Sequence, residues 1–271
     1  PAGRILAEKH PGHAAGAKLA GWMAERFGPR WDQWPPDADQ FQPDPDRLEF
    51  YAWLQWIFDE QLEHAQRELE RAGMKIGIVQ DLPIGVHPFG ADTWVMGDLL
   101  TQGFRVGAPP DMFSPAGQDW SQPPWNPVAL EHQRYRPFRD ILRFVMRHAG
   151  GLRIDHVIGL FRLWWIPPGA DAVDGTYVRY DHQALIDILC LEAARKGVTL
   201  IGEDLGTVEP WARDVLSDRG ILGTTVLLPG LDVVRMTADK YLAHTFFESR
   251  GIPSPPSWLP EEVPEDAAFP L

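Results

Sequence analysis

The sequence is poor in cysteine and in basic residues, and both shortages exclude classes of protein. Its 271 residues include a single cysteine, Cys190, so no disulfide can form within the chain, and we expect a reducing, cytoplasmic location. Lysine and arginine number 25 against 38 aspartates and glutamates, which gives a formal net charge of −13. Because nucleic acids and anionic membrane surfaces bind basic patches, we expect neither as a partner.

Long hydrophobic runs and metal-binding motifs are also missing from the sequence. No segment approaches the roughly 18 apolar residues that span a bilayer, and no signal peptide is recognisable at the start. The histidines lack a ligand spacing such as His-Glu-x-x-His, so we expect no metal. Tryptophan, in contrast, is abundant, and its 12 side chains suit either stacking on sugar rings or ordinary packing.

The hydrophobic pattern predicts helices that alternate with short apolar strands. Helical spacing of apolar residues predicts helices over 49–72, 131–148, 183–196 and 208–219. Apolar runs predict strands at 75–80, before Asp155 and His156, before Glu203, and over 221–228. Residues 103–128, rich in proline and glycine, are predicted to form a long ordered loop. This alternation favours an α/β fold with a parallel sheet.

Three successive predicted strands are followed by a carboxylate: Asp81, Asp155 and Glu203. Acidic residues also follow strands as turn formers or helix caps, but three in succession favour an active site at the carboxyl ends of the strands. Two carboxylates that lie roughly 5–5.5 Å apart can act as nucleophile and acid/base of a retaining glycosidic reaction. Arg153 precedes Asp155 by two residues, so both side chains share one face of the strand, as catalytic partners or as a structural ion pair.

These residues carry a resemblance to a known family. The segments GLRIDHVIGLFRLWWIPPG and LIGEDLGTV resemble glycoside hydrolase family 77, the amylomaltases or 4-α-glucanotransferases. The segments IGIVQDLPIGV, GAPPDMFSPAGQDWSQPPWNP and YVRY match further parts of the family pattern in the right order. The resemblance covers roughly residues 20–225. It implies a partial (β/α)₈ barrel, incomplete at both ends, that transfers α-1,4-glucan segments between maltooligosaccharides by a retaining mechanism.

The resemblance also implies a role for each candidate site residue. Asp155 would be the nucleophile that forms a glucosyl-enzyme intermediate, and Glu203 would be the general acid/base. The residues that would bind the glucan are Arg153, His156, Asp111, Gln118, Trp120 and Asp81. For Trp120, packing within its loop is the alternative interpretation. The implied retaining reaction needs neither a metal ion nor a cofactor.

The sequence departs from the family pattern after the predicted strands. The family's third carboxylate, an Asp in a Thr-His-Asp segment, has no counterpart here. The tail instead resembles the opening of a carbamoyl-phosphate-synthase-type ATP-grasp domain, although divergence within the family is the alternative. We therefore predict a catalytic region at 1–224 and a divergent tail at 225–271.

Three other functions stay open at this point. A hydrolase of α-glucans could use the same two carboxylates, and an inactive fragment could bind glucan without turnover. The tail alone would suggest part of an ATP-binding ligase.

Overall fold

The computed structural model describes residues 13–38, 41–205 and 208–224, all within one compact unit, residues 1–224. The helices of this part are α1 (His13–Phe27), α2 (Pro45–Arg71), α3 (Ala91–Met96), α4 (Pro127–His132), α5 (Arg136–Val145), α6 (His182–Lys196) and α7 (Pro210–Asp218). The strands are β1 (Val79–Leu82), β2 (Arg105–Ala108), β3 (Gln118–Gln122), β4 (Gly151–Ile154), β5 (Arg162–Ile166), β6 (Thr176–Arg179), β7 (Thr199–Gly202) and β8 (Leu222–Gly223). None of the described helices is long and apolar enough to cross a membrane. The predicted tail, 225–271, lies outside the described residues and stays a prediction.

A four-stranded parallel sheet, in the order β1-β4-β7-β8, is the scaffold of the unit. The alternation of helices and strands had predicted a parallel sheet in an α/β fold, and this prediction is confirmed. The ladder aligns Asp81 with Arg153, and Arg153 with Ile201. Because the strands are parallel and in register, the residues that follow them lie side by side at one edge of the sheet.

Helices α5 and α6 cover one face of this sheet and form the main core with it. Leu142, Leu152 and Leu189 are fully buried there, and burying each such side chain contributes about 1.5–3 kcal/mol. The Asp181 side chain caps the first turn of α6 by accepting from Ala184 N at 3.1 Å. The core therefore fixes the strands from the face opposite to the one that carries Arg153.

A second sheet corrects the prediction of a long loop at 103–128. Strands β2 and β3 form an antiparallel hairpin there, and β5 and β6 complete a sheet of order β3-β2-β5-β6. The prediction was wrong because proline and glycine hide the short strands in the sequence. One glycine is needed for the pairing itself, since a Cβ at Gly107 would lie 1.9 Å from the carbonyl oxygen of Gln118.

Several boundaries also differ from those predicted. The first parallel strand begins at Val79, not at Lys75, so Asp81 lies inside β1 instead of opening a loop. The helix predicted over 131–148 is divided into α4, α5 and a short 3₁₀ turn, and Tyr135 interrupts it with a left-handed backbone at φ +54°. The last predicted strand is described only at Leu222–Gly223.

Helix α2 forms as predicted, but its apolar side is exposed. An apolar stripe of α2 faces solvent in the described part of the chain, and its members are Phe50, Trp53, Leu54 and Phe58. The side chains of α2 that are buried are Ala52, Asp59 and Gln66. Leu48 and Tyr51 pack α2 against an apolar cluster that contains Trp22 and Met23, and the buried Asp59, only 1% exposed, adds a polar attachment.

Candidate active site

One arginine holds three carboxylates together at the carboxyl ends of β1, β4 and β7. Arg153 Nη1 donates to both oxygens of Asp81, at 2.6 and 2.8 Å. Arg153 Nη2 donates to Asp155 Oδ1 at 3.0 Å and lies 3.2 Å from Glu203 Oε2. Solvent reaches all four side chains, which are between 22% and 60% exposed. The arrangement is therefore an open cleft lined by acids, not a buried ion-pair network.

The two carboxylates that share Arg153 Nη2 lie close to each other. Asp155 Oδ1 lies 3.0 Å and Glu203 Oε2 lies 3.2 Å from the same nitrogen. These two oxygens can therefore be at most about 6 Å apart. This limit on one pair of oxygens is compatible with the roughly 5–5.5 Å that separates the carboxyl groups of retaining glycosidases.

Backbone hydrogen bonds fix the residues that carry these carboxylates. Asp155 N donates to Leu82 O, and Glu203 N donates to Ile154 O, each at 2.9 Å, so the parallel ladder extends by one residue on both sides. His156 N donates to Glu203 Oε2 at 3.0 Å, and Val157 N donates to Glu203 O at 3.0 Å. The turn after β4, where His156 has φ +45°, therefore aims a backbone N–H at the carboxylate of Glu203.

Arg153 supplies the only described cation in direct contact with the three acids. Its hydrogen bond to Asp81 raises the pKa of Arg153 above the ordinary value, although burial acts in the opposite direction, and the bond to Asp155 raises it further. Arg153 thus stays charged throughout any physiological pH change. Asp155 and Glu203 consequently share one permanent positive partner.

His156 has a different environment from the acids beside it. Burial lowers the pKa of His156, while the charge of Asp155 raises it in part. Its ring packs edge-on against Trp120, with ring centroids 5.4 Å apart. His156 and Asp155 also line one end of a largely apolar cavity of about 260 Å³. The imidazole therefore favours its neutral form and lies between the carboxylates and the second sheet.

The hairpin of the second sheet brings only part of its predicted residues to the cleft. Trp120 reaches His156, and Trp120 Nε1 donates to Gln118 Oε1 at 3.0 Å, so Gln118 is linked to the site through the indole. Asp111 Oδ1 accepts from Phe113 N and Ser114 N at 2.8 and 2.6 Å and closes a turn of its own loop. Within the described part of the chain, the hydrogen bonds of Asp111 stay inside its own loop and do not reach the three acids.

No signal in the sequence points to Asp204, which directly follows Glu203. Its carboxylate accepts from Thr224 N at 3.1 Å, from Thr224 Oγ1 at 3.2 Å and from Arg213 Nε at 3.2 Å. These partners lie 9 and 20 residues away, so only the fold reveals them. The described residues contain no group of three or more His, Cys, Asp or Glu that could hold a metal ion.

Comparisons with known proteins agree on one family. The family model described as 4-alpha-glucanotransferase matches residues 18–246. The 4-alpha-glucanotransferase of Mycobacterium tuberculosis is 56% identical over 214 residues, which are 76% of this chain and 30% of the relative. That of Haemophilus influenzae is 40% identical over 222 residues, 81% of this chain and 32% of the relative. The chain thus spans about a third of the length of the curated relatives it matches.

Solved structures give the same picture. The amylomaltase of Corynebacterium glutamicum aligns with a TM-score of 0.68 at 49% sequence identity, over 77% of this chain and 29% of that one. An amylomaltase of Streptococcus agalactiae in complex with acarbose also reaches a TM-score of 0.68, over 81% of this chain and 48% of that one. At 21% identity, this second likeness concerns the fold alone.

Proposed function

The chain belongs to the 4-alpha-glucanotransferase family, and on that premise we propose that it carries the retaining catalytic pair of a glucan-transferring enzyme. Asp155 and Glu203 are the pair, and α-1,4-linked maltooligosaccharides are the donor and acceptor. The observation that carries the proposal is the single guanidinium nitrogen, Arg153 Nη2, within 3.2 Å of both carboxylates.

In the first step of the proposed reaction, Asp155 attacks the anomeric carbon of the donor. The glycosidic C–O bond breaks, and Glu203 gives its proton to the leaving oxygen. A covalent ester then joins the glucan to Asp155. In the second step, Glu203 takes the proton of an acceptor 4-hydroxyl while this oxygen attacks the same carbon, and the carboxylate of Asp155 is released.

The shared arginine helps Glu203 to change from an acid in the first step to a base in the second. While Asp155 is ionised, it is the anionic partner of Arg153 Nη2, and Glu203 beside it carries the proton for the leaving oxygen. Once Asp155 is esterified, it has no charge, so the remaining anionic partner of that nitrogen is Glu203. The cation then favours the carboxylate form, which Glu203 needs to act as a base. Asp81, held by the other nitrogen, keeps the guanidinium in place.

The glucan would lie along the face that carries these acids. Trp120 offers an indole for stacking on a sugar ring, while Gln118 and His156 offer polar groups to sugar hydroxyls. Asp111 lies in the adjoining loop, where substrate binding is proposed for it from the family pattern rather than from a contact. The expected substrate is neutral, which suits a chain with a net charge of −13.

We also propose that the parallel sheet is part of a (β/α)₈ barrel. In the described residues, β1 and β8 each pair on one side only, and an open parallel edge exposes unpaired backbone groups. The apolar stripe of α2 is uncovered as well. Further strands and helices, as in relatives about three times as long, would close these edges and bury this stripe.

A product assay on the 271-residue chain tests the proposed function. With maltotriose as the only substrate, transfer yields glucose together with longer maltooligosaccharides, and Asp155→Asn abolishes both. Formation of new reducing ends without longer products would identify a hydrolase instead. Binding of acarbose without turnover, unchanged by Asp155→Asn, would identify a glucan-binding fragment and overturn the proposal.

A further inference from the structure

Asp204 is adjacent to the proposed acid/base, but its side chain serves a different set of contacts. It is 15% exposed and faces β8 and α7, whereas Glu203 contacts the turn after β4. We propose that Asp204 is a positioning residue that holds Glu203 at its working distance from Asp155. The inference rests on the proposed roles of these two acids.

Glu203 needs such support because it lies beyond the end of its strand. On the β4 side, three hydrogen bonds hold it, through its own N–H, its carbonyl oxygen and its carboxylate. On the β8 side, the ladder pairs only Ile201 with Leu222 and Gly202 with Gly223. The next backbone bond, from Thr224 N to Gly202 O, is long at 3.3 Å.

The carboxylate of Asp204 compensates for this short ladder. Asp204 Oδ1 accepts from the N–H and from the hydroxyl of Thr224, and Oδ2 accepts from Arg213 Nε. Arg213 Nη2 also donates to Asp204 O at 3.3 Å, so the guanidinium binds both the backbone and the side chain of Asp204. One residue therefore ties the segment after β7 to both β8 and α7.

Loss of the Asp204 contacts should slow proton transfer by Glu203 more than it weakens binding of the glucan. In Asp204→Asn the contact with Arg213 is lost and those with Thr224 are weakened, so Glu203 is held mainly from the β4 side and its bonds to the turn after β4 open more often. A displacement near 1 Å at a catalytic group costs about 100-fold in rate. The loss falls on the step in which Glu203 moves a proton, because Arg153 lies in β4 and Asp155 directly follows this strand, so both keep their positions.

A comparison of two donors distinguishes positioning from a general structural role. Cleavage of maltotriose requires protonation of a poor leaving group, whereas 4-nitrophenyl α-maltoside releases a phenolate that needs no proton. For Asp204→Asn we expect kcat/KM to fall about 10- to 100-fold with maltotriose and less than about 3-fold with the aryl donor. The matched control is Asp214→Asn, which removes the same charge from an exposed position of α7 and leaves both values unchanged.

Hydrogen exchange measured by mass spectrometry provides a readout that does not need activity. In Asp204→Asn, and more weakly in Thr224→Val, exchange should become faster in peptides that contain Val157 and Glu203, since these two residues share a backbone bond. Peptides from α5 should not change. The Thr224→Val variant removes one donor and keeps the acid, so it tests the same contact with a smaller perturbation.

The outcomes separate the inference from the function on which it rests. Equal losses with both donors, or unchanged exchange around Val157 and Glu203, overturn the positioning role even if the parent chain is active. A parent chain that transfers nothing overturns the proposed function, and the exchange data then decide the positioning of Glu203 alone. Selective loss with maltotriose together with faster exchange supports both.

Discussion

Asp59 offers the sharpest test of how this unit is held together. It lies on α2 and is 1% exposed, and its Oδ1 is 2.7 Å from Arg147 Nη2 and 2.6 Å from His148 Nε2. The Arg147 side chain is 11% exposed, and two of its buried nitrogens, Nε and Nη1, have no hydrogen-bond partner in the described residues. Replacing Asp59 with Asn keeps the shape of the side chain and removes its charge.

The expected loss of stability follows from what the substitution leaves behind. Burial already lowers the pKa of Arg147, and the charge of Asp59 partly counteracts this effect. Removing one partner of a buried pair costs about 3–5 kcal/mol, because the other charge remains buried without compensation. Asn can still accept a hydrogen bond, so we expect the lower end, about 3 kcal/mol. With a urea m-value of about 3 kcal/mol per molar, the unfolding midpoint falls by about 1 M.

Urea unfolding followed by tryptophan fluorescence measures this shift. Asp140→Asn is the matched control, because Asp140 pairs with Arg139 at the exposed surface, and its midpoint should not change. The double variant Asp59→Leu/Arg147→Met removes both charges and should recover most of the lost stability. An unchanged midpoint in Asp59→Asn, or a double variant as unstable as the sum of the single ones, would refute the reasoning.

Three further predictions follow from other contacts. Gly107→Ala places a Cβ 1.9 Å from the Gln118 carbonyl oxygen, so we expect a lower urea midpoint of unfolding and weaker binding of acarbose, measured by calorimetry. Unchanged values would contradict the hairpin geometry. Burial lowers the pKa of His156, so the unfolded state binds more protons than the folded state near this pKa. The free energy of unfolding should therefore fall as pH is lowered through 6.5. The same dependence of this free energy on pH in His156→Gln would be inconsistent with the prediction. Arg153→Lys keeps the charge but loses the planar fork that reaches Asp81 and Asp155 together, so transfer from maltotriose should fall at least about 10-fold, and full activity would show that charge alone suffices.

The face that carries Arg153, Asp155 and Glu203 could be predicted from the sequence because its signals are local. Asp155 and Glu203 follow short apolar runs, and Arg153 shares the face of Asp155 by the two-residue period of a strand. The family resemblance, drawn from the same segments, is confirmed by the match over residues 18–246. That match also runs past residue 225, where the sequence predicts a divergent tail, and the ATP-grasp resemblance of this tail stays a prediction.

Features that depend on distant partners could not be predicted. The second sheet needs β5 to pair with β2, and the residues of β2 and β3 show no clear apolar alternation. In the sequence, Asp59 of α2 looks like any solvent-exposed acid, because its partner Arg147 lies 88 positions later. The contacts of Asp204 with Thr224 and Arg213 likewise exist only in the folded chain, so the sequence does not reveal them.

The most direct test of the central claim is to trap the glycosyl ester on Asp155. Maltotriosyl fluoride releases its leaving group without a proton, so it can react with a Glu203→Gln chain that has no base for the second step. The account predicts that mass spectrometry of the digested protein finds a maltotriosyl group on the peptide that contains Asp155, and none in the double variant Asp155→Asn/Glu203→Gln. A label on Asp81, or no covalent label at all, would contradict it.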